Sequence, residues 1–194
     1  ATARGEVPVQ DLRAGDQVVV AHAAAPLQPL VWVGRTQVNL MRLRDKMKAA
    51  PILIRAGALG DGVPFRDLRV SPEHAIFLSG HLIPARLLVN GSTIVQELWC
   101  RQVTYYPIEL EQHGLVISEG AVTETYLDDG NRQLFNNVNV ASLVVDFEAM
   151  RGNGRYATAA CAPLLAEGDP ALDRIRLRIA GRVPAYAPRQ VRHA

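Results

Sequence analysis

Arg66-Asp67-Leu68-Arg69-Val70-Ser71-Pro72-Glu73-His74-Ala75-Ile76-Phe77-Leu78 sets a small hydroxyl residue three positions before a histidine, between a charged approach and an apolar run. Two readings of its centre stand side by side. Ser71 followed by Pro72 and Glu73 is an ordinary start for one helical turn, with the serine as cap, the proline at the first helical position and the acid at the dipole's positive end. The other reading is chemical, with His74 and Ser71 as site residues, and it rests on the sequence around this stretch rather than on the four residues themselves; Pro72 would hold Ser71 extended.

Outward from this stretch the chain reads as β-structure. Apolar and β-branched runs recur at 7–9, 18–20, 30–33, 52–54, 75–78, 81–83, 92–99, 103–110 and 115–117. Gly60-Asp61-Gly62, Ser79-Gly80, Asn90-Gly91 and Glu119-Gly120 punctuate them. Short strands with turn-rich joints predict a mostly β domain. Ser79-Gly80 has the length of a tight hairpin, and Asn90-Gly91 carries the strongest short hairpin signal. Short helices are expected near 44–50, ended by Pro51, and over 84–89.

The last third differs in character. A polar stretch from Asn131 through Asn136-Asn137 precedes the apolar run 141–147 and the Gly-rich Gly152-Asn153-Gly154. Asp169-Pro170, then Leu172, Ile175 and Ile179, with Gly181 after them, predicts a capped amphipathic helix. The alternation of Ile175, Leu177 and Ile179 with arginines leaves a strand as the competing reading. Those arginines, with Arg182, Arg189 and Arg192, read as a solvated basic face.

Composition narrows the classes. The chain has 194 residues, 48% hydrophobic and 21% charged, with a formal net charge of +2. That is a globular composition with no strong pull toward nucleic acid. No apolar run approaches the roughly 20 residues that span a bilayer. The two cysteines, Cys100 and Cys161, lie far apart without metal-ligand spacing and read as small buried residues.

Three stretches, in order, carry a resemblance. The first is Arg4-Gly5-Glu6-Val7-Pro8-Val9-Gln10-Asp11-Leu12-Arg13-Ala14-Gly15-Asp16-Gln17-Val18; the second is Ser71-Pro72-Glu73-His74. The third runs from Val103-Thr104-Tyr105-Tyr106-Pro107 through His113 and Glu119-Gly120 to Glu124-Thr125-Tyr126. Together they resemble Hint domains of the bacterial hedgehog/intein type, the self-processing modules shared by inteins and hedgehog proteins. The resemblance covers roughly residues 1–128, leaving 129–194 as a C-terminal extension with one helix. It implies a mostly β, Hint-type compact horseshoe of short and partly long, curved strands with few short helices.

The same resemblance implies chemistry. A thiol or hydroxyl attacks the carbonyl of the peptide bond before it, turning an amide into a thioester or ester. His74 would protonate the departing nitrogen, and Ser71, standing where the family usually has threonine, would hydrogen-bond the peptide or the oxyanion. His113 would serve the closing half of the site. Against these roles stand a satisfied structural histidine at 74 and a turn histidine beside Gly114 at 113. Glu124 and Thr125 fall where an intein carries its penultimate histidine and terminal asparagine. Neither can cyclise as asparagine does, so cleavage or transesterification at the N-terminal junction is the expected outcome.

The nucleophile strand is expected ahead of Ala1, because the spacing to Gly5 is too short for Ala1 to be the catalytic position. The implied partner is the flanking polypeptide of the same precursor, with no nucleic acid, cofactor or metal. A catalytically silent β-rich interaction module that keeps the fold is the alternative. A hydrolase of free substrates ranks behind both, since there is no Gly-x-Ser-x-Gly elbow, paired zinc ligand set or phosphate loop.

Overall fold

Ile52-Leu53-Ile54 is fully apolar without alternation, the pattern of a strand buried on both faces. All three residues are buried in the computed structural model, which describes residues 1–128, 132 and 155–181. Ile52–Ile54 (β5) lies between Leu68–Val70 (β6) and Ile94–Gln96 (β9) in a three-stranded sheet. Both pairings are antiparallel.

The larger sheet has six strands. They comprise Gln17–Ala21 (β1), Leu27–Pro29 (β2), Ala75–Leu78 (β7), His81–Pro84 (β8), Leu115–Ser118 (β12) and Ala121–Glu124 (β13). Their order is β2-β1-β12-β13-β7-β8. Two small ribbons complete the β structure: Gln102–Tyr105 (β10) on Thr36–Asn39 (β4), and Ile108–Glu109 (β11) on Trp32–Val33 (β3). The expected mostly β architecture is what the chain adopts.

Turn chemistry sets the two hairpins nearest the site. Ser79 and Gly80 between β7 and β8 have φ of 53° and 83°, and Glu119 and Gly120 between β12 and β13 have 50° and 81°. Paired positive φ angles match the right-handed twist of the flanking strands. The Asn90-Gly91 expectation fails as a hairpin. Asn90 follows a 3-10 turn at Ala85–Leu88, and its Oδ1 accepts the amides of Ser92, Thr93 and Ile94 instead. The local loop thus uses the turn signal without bringing two strands face to face.

Other expectations shift for similar local reasons. Residues 7–9 form no strand; a 3-10 turn at Val9–Asp11 begins after Pro8, whose carbonyl accepts the Asp11 amide. The run 103–110 breaks at Tyr106 and Pro107 into β10 and β11, because proline cannot donate to a ladder and its carbonyl turns to the Gly34 amide instead. The helix expected over 44–50 contracts to a 3-10 turn at Lys46–Lys48 capped by Asp45.

Beyond the β domain, Arg155–Ala159 (α1) and Pro170–Ala180 (α2) are helical. The helix reading of the Asp169 to Gly181 segment holds. Asp169 accepts the Ala171 amide at 2.8 Å, and Leu172, Ile175 and Ile179 are buried along one stripe. They join the core formed by Ile52, Ile54, Ile76, Ile83 and Leu88. A parallel bridge of Leu164 to Leu82 ties the stretch between the two helices to β8. Residues 131, 136–137, 141–147, 152–154 and the arginines at 182, 189 and 192, to which the sequence drew attention, lie outside the described residues.

Candidate functional site

Strand β6 ends at Val70, and the chain then turns so that the His74 amide donates to the Ser71 carbonyl at 3.1 Å. No helix follows. Pro72 favours this geometry by keeping Ser71 out of the helical region, so the backbone carbonyl rather than the serine side chain receives the turn's hydrogen bond. The turn is pinned from outside. Ala85 donates to the His74 carbonyl at 3.0 Å, Arg86 donates to the Pro72 carbonyl at 2.9 Å, and the Arg86 guanidinium pairs with buried Glu73.

Ser71 and His74, both half-buried, open on one cavity of about 770 Å³. Its wall includes Ala1, Ser118, Thr123 and Glu124, and Tyr156 reaches it from α1. Ala1 arrives between two strands: its backbone nitrogen donates to the Ile117 carbonyl at 2.6 Å, and its own carbonyl accepts the Val19 amide at 3.0 Å. Beside it Arg66 bridges two carboxylates, Glu119 at 2.7 Å and Glu6 at 2.5 Å.

Behind the cavity lies a buried polar knot. Glu124 Oε1 accepts the Ala75 amide at 2.7 Å, and Oε2 accepts the Tyr156 hydroxyl. The Nε2 of His113 lies 3.6 Å from the same carboxylate and 3.0 Å from the Thr125 carbonyl. The His113 ring is wholly buried, with its Nδ1 accepting the Cys161 amide at 3.0 Å and its ring packed T-shaped on Tyr156 at 5.6 Å between centroids. Burial works to lower its pKa, but the Cys161 side chain and the Glu124 carboxylate outweigh that and raise it to about 9.

The Hint domain family model matches residues 1–130. The chain belongs to the Hint domain family. No curated protein and no solved structure shows a significant match.

Two of the three candidate residues of this Hint domain, Ser71 and His74, share the cavity. His113 does not line it, and touches its wall from behind through Glu124, Thr125 and Tyr156. Sequence reasoning passed over Tyr156, which sits beyond the family-matched segment and carries no motif to mark it. Glu124 was placed by the resemblance but without its role: its carboxylate holds the peptide group directly after His74. Thr123, fully buried, shares a hydrogen bond of 2.9 Å with Ser118 on the cavity wall.

The cysteines also depart from expectation. Cys100 is half-buried as a small core residue, but Cys161 is exposed, and both are free thiols. Among the described residues no cluster of His, Cys, Asp and Glu is grouped to hold a metal ion, and no helix is long and apolar enough to cross a membrane.

Proposed function

We propose that this Hint domain performs autoprocessing of the hedgehog/intein kind at its N-terminal junction, without asparagine cyclisation. The observation that supports this most is that Ala1, Ser71 and His74 all open on one cavity. A thiol or hydroxyl just ahead of Ala1 would attack the carbonyl before it. The C–N bond breaks as the new C–S or C–O bond forms, the nitrogen leaves with a proton from the His74 imidazole, and the proton lost by the nucleophile returns to that imidazole through solvent. A Ser71 hydroxyl aimed at the carbonyl oxygen would stabilise the tetrahedral oxyanion, a contribution of 10²–10³ in rate for a well-placed donor, roughly. Water or another nucleophile then opens the ester or thioester.

In this reading residues 1–128 carry the reaction and 129–194 extend the domain, with Tyr156 of the extension adding to the cavity wall. The partner is the polypeptide joined to the domain. Glu124 is a positioning residue, since it holds the Ala75 amide and with it the turn that presents His74. With no side-chain amide at Glu124 or Thr125, the reaction stops at cleavage or transfer.

The test is the intact mass of the gene product, followed over days with and without added thiol, together with whatever residues its coding sequence places ahead of Ala1. Loss of the preceding segment, slowed about 10²–10⁴-fold by His74→Ala, supports general-acid catalysis by that residue. An unchanged mass in the presence of thiol overturns the proposal and leaves a silent interaction module on the same fold.

A further inference from the structure

We propose that Tyr156, in the extension beyond the family-matched segment, is a positioning residue that holds the His74 turn through Glu124, so that residues 1–130 by themselves lack one support of the site. The effect on the turn follows from hydrogen bonds and packing; the effect on rate rests on the processing reaction proposed above.

A buried carboxylate needs donors to stay where it is. Glu124 is 5% exposed, with the Ala75 amide on Oε1 at 2.7 Å and the Tyr156 hydroxyl on Oε2. His113 Nε2 lies 3.6 Å from that second oxygen and makes its closer contact, 3.0 Å, with the Thr125 carbonyl. Of the two side chains, the tyrosine is therefore the nearer donor. Both polar groups of the peptide joining His74 to Ala75 are held: its carbonyl accepts the Ala85 amide at 3.0 Å, and its amide reaches Glu124. If the carboxylate swings away, that amide loses its acceptor at a wholly buried residue, where no water replaces it.

Tyr156 is itself clamped. Its ring packs with Ala75, Leu82 and Leu115 in one buried cluster and stacks T-shaped on His113 at 5.6 Å between centroids. Its carbonyl accepts the Ala160 amide at 3.1 Å, and the next residue, Cys161, gives its amide to His113 Nδ1 at 3.0 Å. Farther along, Leu82 of β8 donates to the Pro163 carbonyl at 2.8 Å and accepts the Leu165 amide at 2.9 Å. The extension thus runs as an added edge on β8, which pairs with β7, the strand that begins at Ala75. A phenylalanine would fill the same space; only the hydroxyl reaches Glu124.

The experiment uses Tyr156→Phe, which removes the hydroxyl and keeps the ring. Amide hydrogen exchange, read by nuclear magnetic resonance in the variant and the unaltered chain, compares Ala75 with the amides of β5 in the other sheet. Exchange at Ala75 should quicken about tenfold more than at β5, the scale of one lost hydrogen bond to a charged group. An Ala75 amide that changes no more than those of β5 overturns the proposal and makes Tyr156 a packing residue.

In a precursor that processes, Tyr156→Phe should slow the reaction about tenfold, and should slow it no further when Glu124 is already replaced by Glu124→Ala. Slowing that persists in full in that background overturns the route through Glu124. A precursor that never processes defeats the proposed function, and exchange at Ala75 still decides the role of Tyr156. The same measurement decides alone where Glu124→Ala fails to fold.

Discussion

The Glu124 carboxylate and the Ala75 amide are joined at 2.7 Å across the β13–β7 pairing, and this bond fixes the peptide group that follows His74. Glu124 is buried, and its second oxygen is taken by Tyr156. Removing the carboxylate strands both donors. Glu124→Ala should lower stability by about 3 kcal/mol, the scale of a buried charged hydrogen-bond acceptor lost with its partners left in place. Glu124→Gln keeps an oxygen for Ala75 and should recover much of it. Urea midpoints of the two variants check this, and equal midpoints would contradict it.

His113 gives the fold a pH dependence of known sign. Its pKa is about 9 in the folded protein, against ~6.5 in an unfolded chain, so the folded state binds the proton more tightly. Its contribution to stability is complete below about pH 6.5 and fades as pH rises through about 9. The difference in urea midpoint between the protein and His113→Gln should therefore shrink from pH 6 to pH 10. A difference that stays constant over that range refutes the linkage.

Leu172 of α2 is wholly buried against the β-sheet core. Leu172→Ala should cost about 2–5 kcal/mol, the range for a leucine deleted from a packed interior. Because helix and sheets share one core, unfolding followed by tryptophan fluorescence and by far-ultraviolet circular dichroism should shift together. Two transitions that separate would show that the helix is an independent appendage.

Gly120 has φ of 81°, and a Cβ there would sit 2.7 Å from the Phe65 ring. Gly120→Ala should destabilise the β12–β13 turn by about 1–2 kcal/mol, the strain of a left-handed residue with a side chain. Phe65 is an exposed ring on the cavity wall and must move aside. Thermal denaturation measures the first effect. A change in the rate of the proposed processing measures the second, and a melting temperature equal to that of the unaltered chain would count against the turn argument.

Much of the β-structure was legible because its causes are local. The uninterrupted Ile52-Leu53-Ile54 marked a buried strand, and Ser79-Gly80 marked a hairpin. Asp169-Pro170 with its stripe of Leu172, Ile175 and Ile179 marked a helix. Local signals also misled where a neighbour competed for the same backbone. Asn90 spent its side chain on three loop amides, and Pro107 divided a run of β-formers between two ribbons.

The candidate site was legible only in outline. Ser71 and His74 stood out as a spaced pair, since proline and turn geometry act over four residues. That they face Ala1 across a cavity depends on β1 and β12 receiving the N-terminal segment between them. Nothing in the sequence joins Tyr156 to Glu124 or Cys161 to His113, because each pair meets only where α1 docks behind the large sheet. The amino-acid sequence by itself determined the strands, the turns and the order of the family's motifs, all properties of short segments. Tertiary structure alone decided which carboxylate holds the peptide after His74 and which histidine receives the Cys161 amide, because those contacts are made through space by residues that chain connectivity keeps far apart.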